Sequence, residues 1–164
     1  MAIPFQDVSF PLQGGIPCAH VGDLLPMRLF SLGGCTIDGS WGSSGKTDMS
    51  SPFWRLYLNL DEGAQVRTSQ QSFPLHAGSL YAVPAWLSWR ANCAGRVRHG
   101  NALLDLPSIG RERARSGVPL PLELADARDP LALAWVDLFR RLCGERLATV
   151  ELTACGHALT WEAL

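Results

Sequence analysis

The sequence predicts a mainly β domain, a sandwich or barrel, followed by a helical C-terminal segment. Three observations carry this expectation. About seven short apolar stretches recur at intervals of roughly 8–12 residues across the middle of the chain. Gly or Pro stands at nearly every junction between them, at Gly63, Gly78, Pro84 and Gly95 among others. After Asp129-Pro130 the apolar residues change from alternation to helical spacing.

The composition fits one such domain. A chain of 164 residues with 47% apolar residues can bury a real core, and 18% charged residues argue against disorder. The net charge of −1, without a Lys/Arg run, leaves no electrostatic footprint for a phosphate backbone. Any role with DNA must then run through sequence other than this. No basic start leads into an apolar run, and no window approaches the roughly 18 apolar residues of a membrane span, so a cytoplasmic protein without a membrane partner is expected. Five cysteines (Cys18, Cys35, Cys93, Cys143, Cys155) show no CxxC spacing, which predicts free buried thiols rather than disulfides or a zinc knuckle.

Taken in order, residues 1–26 are rich in Pro and Gly and predict an irregular arm with one short strand near 8–12. Residues 27–32 have strand character, Gly33-Gly34 is expected to break or bulge it, and 35–37 continue it. Residues 38–52 form a long polar loop that contains Trp41. A meander follows, with strands at 53–60, 64–68, 72–75, 79–83, 88–92 and 96–106. In the segment 79–83, Leu80 and Ala82 alternate with Tyr81 and Val83, which suits a strand buried on both faces, and Gly78 supplies the turn before it. Residues 107–128 read as connection with an extended piece at 118–124. Asp129 is an N-cap and Pro130 the first helical residue of a helix whose apolar face is Leu131, Trp135, Leu138, Phe139 and Leu142. Gly144 ends it, and 145–164 carry the repeat of a second helix.

The candidate chemistry is aromatic. The four histidines (His20, His76, His99, His157) form neither HxH nor HxxxH, so a metal site would need ligands from distant strands. No nucleophile elbow or phosphate loop is present. Of six tryptophans, Trp54, Trp135 and Trp161 are assigned to core packing. Trp41, Trp86 and Trp89 follow turns or lie in loops, where large rings line the mouth of a small-molecule pocket, and Trp faces suit sugars or flat apolar ligands. His99 and Asn101 lie two apart on one strand and hence on one face, either as the hydrogen-bonding pair of such a pocket or exposed near a strand start.

The run Arg55-Leu-Tyr-Leu-Asn-Leu-Asp-Glu-Gly63, then Phe73-Pro-Leu-His-Ala-Gly-Ser-Leu-Tyr-Ala-Val-Pro84, then an apolar strand after His99, resembles the N-terminal effector-binding domain of AraC-type bacterial transcription regulators. The resemblance covers residues 35–106 and implies a cupin-like double-stranded β-helix or jelly-roll barrel. It places barrel and N-terminal arm in 1–128 and a helical segment, packed on the barrel or forming a dimer seam, in 129–164. The wider cupin superfamily marks its metal site with HxH plus Glu and with a second motif, G-x5-P-x-G-x2-H-x3-N. Gly78 and Pro84 match that second motif, but Trp86 stands at its Gly and Trp89 at its His, and no histidine occurs near 51–58. The resemblance therefore implies binding without a metal, a cofactor or catalysis. By position, effector contacts of the sugar-responsive members fall on Trp89, Ala91, His99 and Asn101, with Trp41 near a further contact.

The function expected is a ligand-sensing and dimerising domain. Its partners are a small effector, with a sugar favoured, held by Trp41, Trp86, Trp89, His99 and Asn101, a second copy of the chain, and DNA only through a helix-turn-helix domain absent from this sequence. The alternative is a cupin enzyme, with or without metal, acting on a small carbohydrate or aromatic substrate.

Overall fold

The computed structural model describes residues 8–17, 28–41, 49–105 and 121–144. They form nine strands and one helix: β1 (Val8–Pro17), β2 (Arg28–Ile37), β3 (Trp54–Asn59), β4 (Ala64–Arg67), β5 (Ser72–Pro74), β6 (Leu80–Val83), β7 (Arg90–Cys93), β8 (Val97–Asp105), β9 (Leu122–Ala125) and α1 (Pro130–Gly144). A six-stranded sheet has the order β1-β2-β8-β3-β6-β9, and a three-stranded sheet the order β5-β4-β7. Every ladder in both sheets is antiparallel. No helix among the described residues is long and apolar enough to cross a membrane.

The large sheet is covered on both faces, and the side-chain period of two divides its residues between two cores. Leu56 and Leu58 of β3, Leu80 and Ala82 of β6, and Ala102 and Leu104 of β8 join Trp135 and Phe139 of α1 in one cluster. Tyr57, Tyr81, Val83 and Val97 point the other way and pack with Val66 of β4 and Cys93 of β7 in the second. All four residues of β6 are buried, as the alternation over 79–83 predicts.

The helix begins as its sequence predicts. The Asp129 carboxylate accepts from Leu131 N–H at 2.8 Å, and Pro130 occupies the first turn, where no intrahelical N–H is needed. Trp135 and Phe139 are fully buried, with ring centroids 5.4 Å apart. Their seat requires Gly100 on β8, because a Cβ there would collide with the Phe139 ring. The burial of Trp54 and Trp135 agrees with their assignment to the core.

Several expectations are corrected. Among the described residues the strands make two facing sheets and no closed barrel; outside the strand ladders, the bridges Met49↔Trp89 and Asn59↔Ala77 add short pairings. β1 is longer than the short strand expected, and its register shifts between Pro11 and Ile16, the interval holding Gly14-Gly15. Gly33-Gly34 does not interrupt β2. It pairs without a break with Asn101 and Gly100, and the bulge lies instead between Leu29 and Ser31. A second helix at 145–164 and the fate of Trp161 lie outside the described residues.

Two turns anchor the large sheet to the small one. Asp61 takes Arg98 in a two-pronged pair (2.6 and 2.8 Å) and also accepts its backbone N–H, which holds the β3–β4 turn against the start of β8. That bonding to Arg98 keeps the Asp61 carboxyl below the usual carboxylate range. Gly78, with φ of 81°, closes the turn into β6 in a conformation that a residue with a Cβ resists.

The contact at Gly100 gives the first prediction. Gly100→Ala should lower the unfolding free energy by about 1–3 kcal/mol, measured by urea titration. Adding Phe139→Leu to it should cost less than the sum of the two single changes, because both act on one contact.

Candidate functional site

The inner face of the large sheet, the one turned toward the small sheet, carries the chain's unusual polar residues. Register sets them in rows. His99 lies between Cys35 on β2 and Asn59 on β3. The next row is Gly33, Asn101, Tyr57 and Tyr81, and the row beyond it pairs Leu103, Arg55 and Val83. Arg55, Tyr57 and Asn59 thus share a face because they are two apart on β3, while Leu56 and Leu58 face the helix.

Over this face four rings converge. Tyr57 and His99 have centroids 4.7 Å apart, Trp41 lies 5.1 Å from His99 and 5.9 Å from Tyr57, and Trp89 lies 6.0 Å from Tyr57 and 6.3 Å from Trp41. Their placement differs in kind. Tyr57 and His99 are held by strand ladders, and Trp89 by paired backbone bonds with Met49 (2.7 and 3.0 Å). Trp41 hangs from a turn that Asp38 closes, through Trp41 N–H to its carbonyl and Ser40 N–H to its carboxylate, both at 2.8 Å.

His99 is 2% exposed, and burial pushes its pKa down to about 3. It is therefore a neutral imidazole at physiological pH. Asn59 sets its tautomer: the Asn59 amide nitrogen donates to Leu75 carbonyl at 3.2 Å, which turns the amide oxygen toward His99 Nδ1 at 2.8 Å. Nδ1 then carries the proton, and Nε2 keeps a lone pair as an acceptor. Burial also pushes the Tyr57 phenol well above its ordinary range, so it stays protonated and can donate. A neutral acceptor and a neutral donor beside three aromatic faces can bind a small ligand by stacking and hydrogen bonds. Among the described residues no three His, Cys, Asp or Glu side chains come together as a metal set would require.

Of the residues singled out from sequence, Trp41, Trp89 and His99 come together. Asn101 shares the face of His99, half-buried and directly opposite Tyr57. Trp86 is 60% exposed and is not part of the cluster. It sits third in the turn that Leu87 N–H closes onto Pro84 carbonyl, with φ of 65°, a position that favours Gly or Asn. Its backbone N–H still donates to Ser51 carbonyl at 2.7 Å, which ties that turn to the segment before β3. Sequence reading passed over Arg55, Tyr57 and Asn59. The signal was available in the period-two run of β3, where three polar-capable residues alternate with two leucines. His76 is exposed, 3.6 Å from Glu62, and His20 and His157 lie outside the described residues.

Comparison with known proteins gives limited likeness. No family model matches the sequence, and no curated protein matches it. Among solved structures, an ethanolamine utilization protein Q from Salmonella typhimurium LT2 is similar over 63% of this chain and 97% of its own, at 12% identity and a TM-score of 0.38. A cupin superfamily protein from Desulfitobacterium hafniense DCB-2 is similar over 64% of this chain and 83% of its own, at 18% identity and a TM-score of 0.36.

Two outcomes follow from these environments. The native pKa of His99, about 3, lies below the roughly 6.5 of an unfolded imidazole. As pH falls, the unfolded chain takes the proton first, so stability is complete above pH ~6.5 and drains below it, by at most about 1.4 kcal/mol per pH unit. His99→Gln should flatten that slope between pH 6.5 and 4.5 in denaturant melts, whatever its effect on the level at neutral pH. Trp86→Gly should leave the unfolding free energy within about 1 kcal/mol of the parent, since relief of the left-handed turn offsets the added freedom of Gly; a larger fall would show that the exposed ring packs.

Proposed function

We propose that this chain is a cupin-like ligand-sensing domain of an AraC-type transcription regulator, in which a small effector is bound on the inner face of the large sheet. The observation that supports this best is the convergence of Trp41, Tyr57, Trp89 and His99 over the buried His99–Asn59 pair. The helix-side cluster also holds aromatic rings, Trp54, Trp135 and Phe139, among its leucines and alanines. The buried histidine, asparagine and tyrosines, however, lie on the inner face, and buried polar groups of that kind cost stability unless they serve something else. An inner wall of aromatic faces with a few oriented polar atoms is the composition of a small-molecule site.

The sequence resemblance supplies the rest of the reading. Gly78 and Pro84 keep the spacing of the second cupin motif, and Trp89 stands where that motif has a metal-binding histidine. Binding in place of turnover follows from that exchange. Effector binding would favour one arrangement of the domain over another, and DNA affinity would change through a domain outside this sequence. A cytoplasmic homodimer belongs to the same reading, and sugars are the first effector class to screen because Trp faces suit them.

A panel of sugars and small metabolites tested by thermal shift on the purified chain checks the proposal. At least one compound should raise the unfolding temperature, and Trp89→Ala should weaken it at least tenfold by calorimetry. Unchanged affinity in Trp89→Ala would place the ligand elsewhere, and a panel without any effect would remove the binding function. Sedimentation equilibrium of the same sample reads the dimer.

A further inference from the structure

Arg55 stands on the inner face of β3 in a setting that nothing among the described residues completes. Its guanidinium carbon lies 5.6 Å from the centre of the Trp89 ring. Its NH1 nitrogen is buried and finds no hydrogen-bond acceptor among the described residues. The indole N–H of Trp89, the ring over which that guanidinium lies, is likewise buried without one among the described residues. No Asp or Glu among the described residues is buried. Asp61, the acid nearest in sequence, is already held by Arg98.

Such an arrangement is costly unless something answers it. A guanidinium nitrogen cut off from both water and an acceptor forfeits a charge-assisted hydrogen bond, and stacking on Trp replaces only part of that loss. The indole N–H groups of Trp54 and Trp135 also lack acceptors, but they lie in the helix-side core, where no charge accompanies them. On the inner face a cation and an N–H donor stand side by side. Both call for an acceptor, and the cation calls for a negative one.

We infer that the ligand of the inner face is a small organic acid, whose carboxylate is taken by Arg55 and whose body lies against Trp89, Tyr57 and Trp41. This deepens the proposed function and rests on the inner face being a ligand site. Arg55 suits the task because its planar fork matches a carboxylate's two oxygens. Charge is the deciding property: a sugar acid or an aromatic acid meets the requirement, and the corresponding neutral sugar or amide does not.

The test uses acids and their neutral counterparts on the full chain, by calorimetry: D-galacturonate against D-galactose, benzoate against benzamide, and indole-3-acetate against its amide. At least one acid should bind at least tenfold tighter than its counterpart. Arg55→Gln should bring that acid down to the affinity of the neutral compound, and Arg55→Lys should retain part of the difference. Equal affinity of acid and counterpart, or binding by neutral compounds alone, overturns the carboxylate inference and leaves the inner-face site standing. Binding by no compound overturns both. If Arg55→Gln does not fold, the ratio of acid to neutral compound in the parent protein decides the matter alone.

Discussion

A sheet buried on both faces constrains everything else in this molecule. Once α1 covers one face and the small sheet the other, most residues of β3, β6 and β8 lose their route to water, Arg98 at the start of β8 being the exposed exception, and alternation divides the rest between two cores. The helix-side core takes leucines, alanines, Trp54 and the Trp135–Phe139 pair. The other takes His99, Asn59, Tyr57, Tyr81 and Trp89 along with its aliphatic residues, with Arg55 and Asn101 half-buried on the same face. Polar atoms placed there must find partners or go without, and both outcomes occur. His99 and Asn59 satisfy each other and Leu75, while Arg55 NH1 goes without among the described residues.

The two cores also differ in how tightly they are determined. Gly100 leaves no room for even a methyl group beneath Phe139, so the helix is locked in register over β8. On the inner face, contacts are between rings at 4.7–6.3 Å, tilted or edge-on. Ring contacts of that kind are favourable but loosely directional. The directional groups on that face are few: the lone pair of His99 Nε2, the Tyr57 hydroxyl and the Arg55 fork.

Much of the architecture was legible in the sequence because local rules governed it. Gly78 and Pro84 bracket β6, and Asp129-Pro130 opens α1, each through backbone chemistry that acts within a few residues. The Gly33-Gly34 pair misled for the opposite reason. Its glycines look like a break when read locally, but the long partner β8, with Gly100 directly opposite Gly34, pairs through them. The site was half legible. Trp41, Trp89 and His99 announce themselves by type and position, whereas Arg55, Tyr57 and Asn59 become visible only when register sets β3 beside β8. Trp86 resembles its neighbour Trp89 on paper. A left-handed turn sends it to solvent while the bridge to Met49 draws Trp89 inward.

The four rings differ in how they are tethered, and so in what moving each one would break. Three of the four rings are tethered by backbone ladders or bridges, so displacing them means breaking sheet hydrogen bonds, whereas among the described residues Trp41 is held by the turn that Asp38 closes. Of the four, Trp41 is the ring whose displacement breaks the fewest of the described backbone bonds.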